Sequence, residues 1–257
     1  MVSLALCALL ATVPSDPPSL PEEGEARRAL VRRSTQQELA EILRLIPPER
    51  LLSIGQAAVR ELGTYSVILR KQERVRGKVL EPQVLSIFVR EQPFALRMQV
   101  IGGPKKGRKV FYDESLRKTE FRVREAGLLG IKALWLSVDS RLARRDTNHR
   151  ITDLGFGPIL RQLGRDIRVA ARHGGFTRAD QGFDEQGRWC VSFVAPPSAA
   201  SELYARRTRL CLNPALGLPV KIEVYDAQGF LERAEFTKIK KETALPPGFF
   251  TPKAAGL

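Results

Sequence analysis

At Gly63 the hydrophobic period of this chain changes from helical to two, and no other feature restricts its fold as much. Upstream, Leu39, Ile42, Leu43 and Ile46, then Leu51, Ile54, Ala58 and Leu62, recur at helical spacing. Thr35 followed by Glu38 is a capping-box signature, Pro47-Pro48 ends one helix and opens the next, and Gly63 ends the second. Helices are therefore expected over 35–46 and 49–62. Downstream, Tyr65, Val67 and Leu69 alternate with polar residues, and apolar runs follow at 84–90, 94–101, 109–112, 118–124 and 131–138. Gly77-Lys78 and the Gly102–Gly107 stretch read as turns. Parallel crossovers need a dozen or more residues each, so strands this close together are antiparallel. A third helix is expected over 156–172, carrying Ile159, Leu163, Ile167 and Ala170 on one face. Strands return at 188–194, 204–212, 220–225 and 231–239, and Phe249 and Phe250 in the tail are expected to pack back onto the sheet. The fold class is α+β: one large antiparallel β-sheet of about nine to eleven strands, its apolar face covered by the helices.

The N-terminus reads as a targeting segment. Val2–Val13 is an uncharged apolar run, too short to span a bilayer and sized for the core of a secretory signal. No Lys or Arg precedes it, and Leu6 before Cys7 departs from a lipobox. Residues 1–15 are read as signal-like, 16–33 as a flexible Pro-, Glu- and Arg-rich lead-in, and 34–257 as one domain. Without Cys7 an even pair remains, Cys190 and Cys211, each in a strand-like run flanking a Pro- and Ser-rich loop. In an antiparallel hairpin opposed residues share a constant index sum, so pairing the two cysteines centres the hairpin between Ala200 and Ser201. Trp189, Val191, Phe193, Leu210 and Leu212 then share the other face. Opposed positions allow either a disulfide or two buried free thiols; export favours the disulfide.

No nucleophile elbow, zinc-protease helix motif, P-loop or dinucleotide-binding glycine pattern is present, and no enzymatic activity or cofactor is expected. The two histidines, His149 in a polar stretch and His173 at a helix end, lack metal-ligand spacing, and Cys190 has no partner motif for nucleophilic work. Gly155-Phe156-Gly157 reads as a helix-start turn before it reads as a phosphate cradle. The net charge of +14 suits anionic partners, although Arg is spread along the chain. Lys105, Lys106, Arg108 and Lys109 concentrate in one turn, either for solubility or as a headgroup contact. Lys71 and Glu73 share a face with Tyr65, Val67 and Leu69. Either the strand leaves the core there, or a Lys–Glu pair lines the edge of a cavity.

Tyr65…Lys71-Gln72-Glu73-Arg74, Pro93-Phe94, Lys106-Gly107-Arg108-Lys109-Val110-Phe111-Tyr112 and Arg150-Ile151-Thr152-Asp153-Leu154-Gly155 together resemble an exported bacterial family known as a domain of unknown function. The resemblance spans roughly residues 50–250. Leu218-Pro219-Val220…Tyr225-Asp226-Ala227-Gln228-Gly229 is also similar to the outer-membrane lipoprotein carrier and lipoprotein-sorting proteins. That resemblance implies a curved half-barrel closed by helices over an apolar cavity that shields acyl chains from water. It points to Tyr65, Val67, Leu69, Phe94, Leu96 and Met98 as cavity residues. Lys71, Lys105, Lys106 and Arg108 are then the contacts for an anionic headgroup or membrane surface. Three functions follow as expectations: a periplasmic lipid or lipoprotein carrier, an envelope sensor or scaffold that binds a protein, and a charge-driven nucleic-acid binder. The export signal and the absence of an aromatic-basic motif argue against the last.

Overall fold

In the computed structural model, which describes residues 19–127 and 132–257, three helices precede the sheet. The signal-like segment, Cys7 included, lies outside the described residues. Helix α2 (Gln36–Leu45) has the expected capping box: Glu38 N–H donates to Thr35 Oγ1 at 3.2 Å and Thr35 N–H to Glu38 Oε2 at 2.7 Å. Helix α3 (Pro48–Leu62) ends at Gly63, whose φ of +63° turns the chain directly into β1 (Thr64–Val75).

The lead-in departs from expectation. Residues 24–33 form helix α1 (Gly24–Arg33) instead of a flexible tether. Arg27 is 1% exposed and donates to Glu22 O at 2.6 Å, Leu216 O at 3.0 Å, Pro21 O at 3.2 Å and Ala215 O at 3.3 Å. A polar composition concealed this because carbonyls distant in sequence help to satisfy the buried guanidinium.

After β1 come β2 (Lys78–Val79), β3 (Gln83–Arg90), β4 (Ala95–Gly102), β5 (Lys109–Asp113), β6 (Glu120–Arg124) and β7 (Leu134–Ser137). Helix α4 (Phe156–Ala171) separates them from β8 (Thr177–Phe183), β9 (Trp189–Val194), β10 (Arg207–Asn213), β11 (Leu218–Asp226) and β12 (Gly229–Lys241). The order across the sheet is β7-β6-β5-β4-β3-β1-β12-β11-β10-β9-β8, with short β2 paired to β1, and every pairing is antiparallel. Two meanders thus meet at the centre, where the first and last strands pair, and β7 and β8 remain as edges. The sheet is an open, curved half-barrel. The described residues form twelve strands, the ten runs anticipated plus the short β2 and β8. The latter alternates poorly and pairs with β9 only around a bulge between Ala179 and Gly182.

Cys190 and Cys211 are direct cross-strand partners and form the disulfide. Trp189, Val191, Phe193, Leu210 and Leu212 face a core shared with α2 and α3. A second core packs α3 and α4 against β1 and β3–β6. On the opposite face the tail returns as expected: Phe249 meets Phe88 edge-on at 5.0 Å and lies under the Arg97 guanidinium at 3.9 Å. The helices cover the C-terminal half and centre of the concave face. Over the far side of β3–β6 the cover among the described residues is an irregular strap, residues 139–150, leading through a 3-10 turn, Ile151–Asp153, into α4. No helix among the described residues is long and apolar enough to cross a membrane.

Candidate functional site

Alternation in β3–β6 aims Met98, Val100, Phe121 and Val123 at the concave face, and Leu142, Ala143 and Ile151 close over them from the strap side. Between floor and roof lies a cavity of about 100 Å³ bordered by Lys71, Arg108, Arg144 and Arg150. A second cavity of about 90 Å³ lies between α4 and the central strands, lined by Leu69, Ile159, Ile222 and Phe236. Lys71, His149 and Leu154 border both. The wall between the two apolar spaces is therefore polar in part.

That wall is a single hydrogen-bonded cluster. Register places Glu73 of β1 directly opposite Glu232 of β12 on the concave face. Glu73, 5% exposed, accepts from Lys71 Nζ at 2.6 Å, Thr147 Oγ1 at 2.9 Å and the Asn148 N–H at 2.6 Å. His149 Nε2 lies 2.6 Å from Glu232 Oε2, and Tyr204 donates its hydroxyl to the same oxygen at 3.2 Å. Burial disfavours the charged Glu73, but Lys71 and the Asn148 N–H outweigh it and hold the carboxyl below its usual range. Burial likewise opposes charging His149, yet its bond to Glu232 and the nearby Glu73 charge raise its pKa above the ordinary value. The strap is tied again where Lys105 pairs with Asp146.

Of the residues anticipated for an apolar cavity, Met98 and Leu69 border the two spaces. Tyr65, Val67, Phe94 and Leu96 lie in the packed core. Among the basic candidates, Lys71 and Arg108 reach the cavity, Lys105 anchors the strap and Lys106 is exposed on the turn. Lys71 and Glu73 do form the pair that one reading of the strand anticipated. Glu232 and the strap residues Asp146, Thr147 and Asn148 were missed. Only the β1–β12 register brings Glu232 to Glu73, and no local pattern encodes it.

The Gly155–Gly157 turn is a helix start occupied by the protein itself. Phe156 N–H donates to Tyr65 Oη at 2.9 Å, Gly157 N–H to Glu91 Oε1 at 3.2 Å, and Tyr65 Oη donates to Glu91 Oε1 at 3.0 Å. A carboxylate and a hydroxyl fill the place an anion would take. His173 pairs with Glu202 at 2.8 Å, far in sequence from the strap.

The family described as "Protein of unknown function (DUF1571)" matches residues 62–255. The chain belongs to the DUF1571 family. The matched region takes in the whole sheet, and with it the strap and the Glu73–Glu232 cluster, and leaves out α1, α2 and nearly all of α3. No curated protein matches the chain. Among solved structures it is similar to the lipoprotein LppX of Mycobacterium tuberculosis, with 12% identity over 77% of this chain and 96% of that one and a TM-score of 0.44. An uncharacterized conserved protein from Thermus thermophilus has 12% identity over 78% and 94%, with a TM-score of 0.44. A LolA superfamily protein from Nitrosomonas europaea has 10% identity over 78% and 98%, with a TM-score of 0.33.

Proposed function

We propose that this chain is an exported, non-catalytic carrier that shields the acyl chain of an amphiphile on the N-terminal half of its concave face. The supporting observation is the cover: that half of an apolar sheet face is roofed by a strap held through polar anchors, where the other half is sealed by packed helices. The rim supplies Lys71 and Arg108 for an anionic group, with Lys105 and Lys106 on the adjoining turn for an anionic membrane surface. The disulfide and the N-terminal apolar run support export.

The closed cavity, about 100 Å³, is below the roughly 300–1,000 Å³ of small-molecule sites. An acyl chain therefore enters only as the strap lifts. Delipidated protein should bind a fluorescent fatty acid at one per chain, and Val100→Glu, which places a carboxylate on the cleft floor, should abolish that binding. Lys71→Met with Arg108→Met should weaken it about 10-fold. Absence of binding by delipidated wild-type protein that retains its thermal transition overturns the carrier reading.

A further inference from the structure

Like charges directly opposed on neighbouring strands destabilise a sheet, yet Glu73 and Glu232 occupy such positions at its centre. In the closed chain they are balanced. Lys71 Nζ serves Glu73 and His149 Nε2 stands 2.6 Å from Glu232, so the two carboxylates meet the Lys71 ammonium and, below the raised pKa of the imidazole, a second monocation. Of the donors around the pair, Thr147 Oγ1, the Asn148 N–H and His149 Nε2 all come from the strap. When the strap lifts to admit a chain, those donors leave with it. Lys71 and the Tyr204 hydroxyl stay behind with two carboxylates, which leaves a net negative floor short of hydrogen-bond donors. Water reaches the two carboxylates while the strap is raised, but a ligand seated over them removes that water, so an occupant that itself returns both the donors and one positive charge is selected.

We propose that the Glu73–Glu232 pair is a binding site for a protonated primary amine in the ligand headgroup, and that His149 and its strap neighbours fill this site while the cleft is closed. This rests on the carrier reading above and names the ligand class. A primary ammonium offers three N–H donors and one charge, matching what the strap withdraws. A divalent cation matches less well: the Lys71 ammonium already stands 2.6 Å from Glu73, and a second positive charge there exceeds the balance. Lys71 and Arg108 border the adjoining cavity. The favoured headgroup thus carries a phosphate beside the amine, with the acyl chain over Met98 and Val100.

The test uses delipidated full-length protein and three lysophospholipids with the same acyl chain. Lysophosphatidylethanolamine carries a primary ammonium, lysophosphatidylcholine a cation without N–H donors, and lysophosphatidylglycerol neither. The ethanolamine lipid should bind about 10-fold more tightly than the glycerol lipid, with the choline lipid between them. Glu232→Gln should bring the ethanolamine lipid down to the level of the glycerol lipid. Retained affinity for the glycerol lipid shows that the variant is folded. His149→Gln, which removes the internal occupant, should tighten the ethanolamine lipid. His173→Gln should change nothing. Equal or tighter binding of the glycerol lipid by wild-type protein, or an ethanolamine preference that survives in Glu232→Gln, overturns the amine site and leaves the carrier reading standing. If neither the lysolipids nor the fatty acid binds, both fall.

Discussion

Glu73 and Glu232 are tolerated at the sheet centre because donors surround each of them, and removing one member of this set is costly. Glu73→Ala strands the Lys71 ammonium, itself only 16% exposed, without its partner. The loss in unfolding free energy should be on the order of 3 kcal/mol, as for a broken buried pair. Glu73→Gln retains an oxygen for the Asn148 N–H and should lose less, about 1–2 kcal/mol; urea titration of both variants measures the difference.

Closure of the strap is also set by ionisation. His149 is faced by Glu232 and Arg233 from β12, by Lys71 and Glu73 from β1, by the Tyr204 hydroxyl, and by Asp153 beyond the strap. The pKa of Glu73 lies below its ordinary value, so its contribution is present above about pH 4.5 and is lost as pH falls through the depressed pKa. That of His149 lies above its ordinary value, so its contribution is full below about pH 6.5 and is lost as pH rises through the raised pKa. The strap is held best in mildly acidic solution and loosens on either side. Hydrogen exchange of residues 140–150, compared with His149→Gln at each pH, should show wild-type protection declining toward the variant's as pH rises. A constant ratio between the two from about pH 5.5 to about pH 8.5, a span that brackets the ordinary histidine range, counts against the latch.

At the scale of elements, each cover is tied to the sheet in a different way. Helix α4 is docked by its own N-terminus, where Tyr65 Oη accepts from Phe156 N–H and donates to Glu91. Tyr65→Phe leaves that buried N–H and the carboxylate each short of a partner, and should cost about 1–3 kcal/mol of stability with the ring packing against Phe156 retained. A shift in the thermal midpoint no larger than that of a control such as Tyr225→Phe, which removes a hydroxyl outside both the helix dock and the Glu232 cluster, would show that water replaces the hydroxyl. The strap's apolar seat is smaller, Leu142 and Ala143 over the cleft floor, and Leu142 is 61% exposed. The strap's contacts with β1, β12 and the 103–108 turn are ion pairs and hydrogen bonds, which water and ligand groups can replace. That contrast makes the strap the movable cover and α4 the fixed one.

At the scale of the molecule, pairing of β1 with β12 joins the first and last strands, so the two meanders support one continuous sheet. The Cys190–Cys211 bond closes a segment of 21 residues within the C-terminal meander. Replacing both cysteines with alanine should cost about 3 kcal/mol, the scale for a loop of that length. The cleft lies in the other meander, so ligand affinity should survive the change. Denaturant titration and fatty-acid binding on the same variant separate the two effects.

Much of this architecture follows from local pattern. The period change at Gly63, the capping box at Thr35 and Glu38, and the glycine-marked turns each act within a few residues, so they mark helices and strands without tertiary information. The constant index sum of a hairpin predicted the cysteine register for the same reason. The cases that escaped are those decided at long range. Arg27 reads as a solvated charge until the carbonyls of 215 and 216 close around it, and β8 is a strand because β9 offers it an edge. The candidate site divides in the same way. Lys71 was marked by alternation, Arg108 by the charge of its turn and Met98 by the family resemblance, but their meeting with His149 and Glu232 was not. Chain order alone determined an antiparallel sheet with helical covers. Only the tertiary structure decided that β12 returns beside β1, opposes two carboxylates there and brings a polar strap down over them.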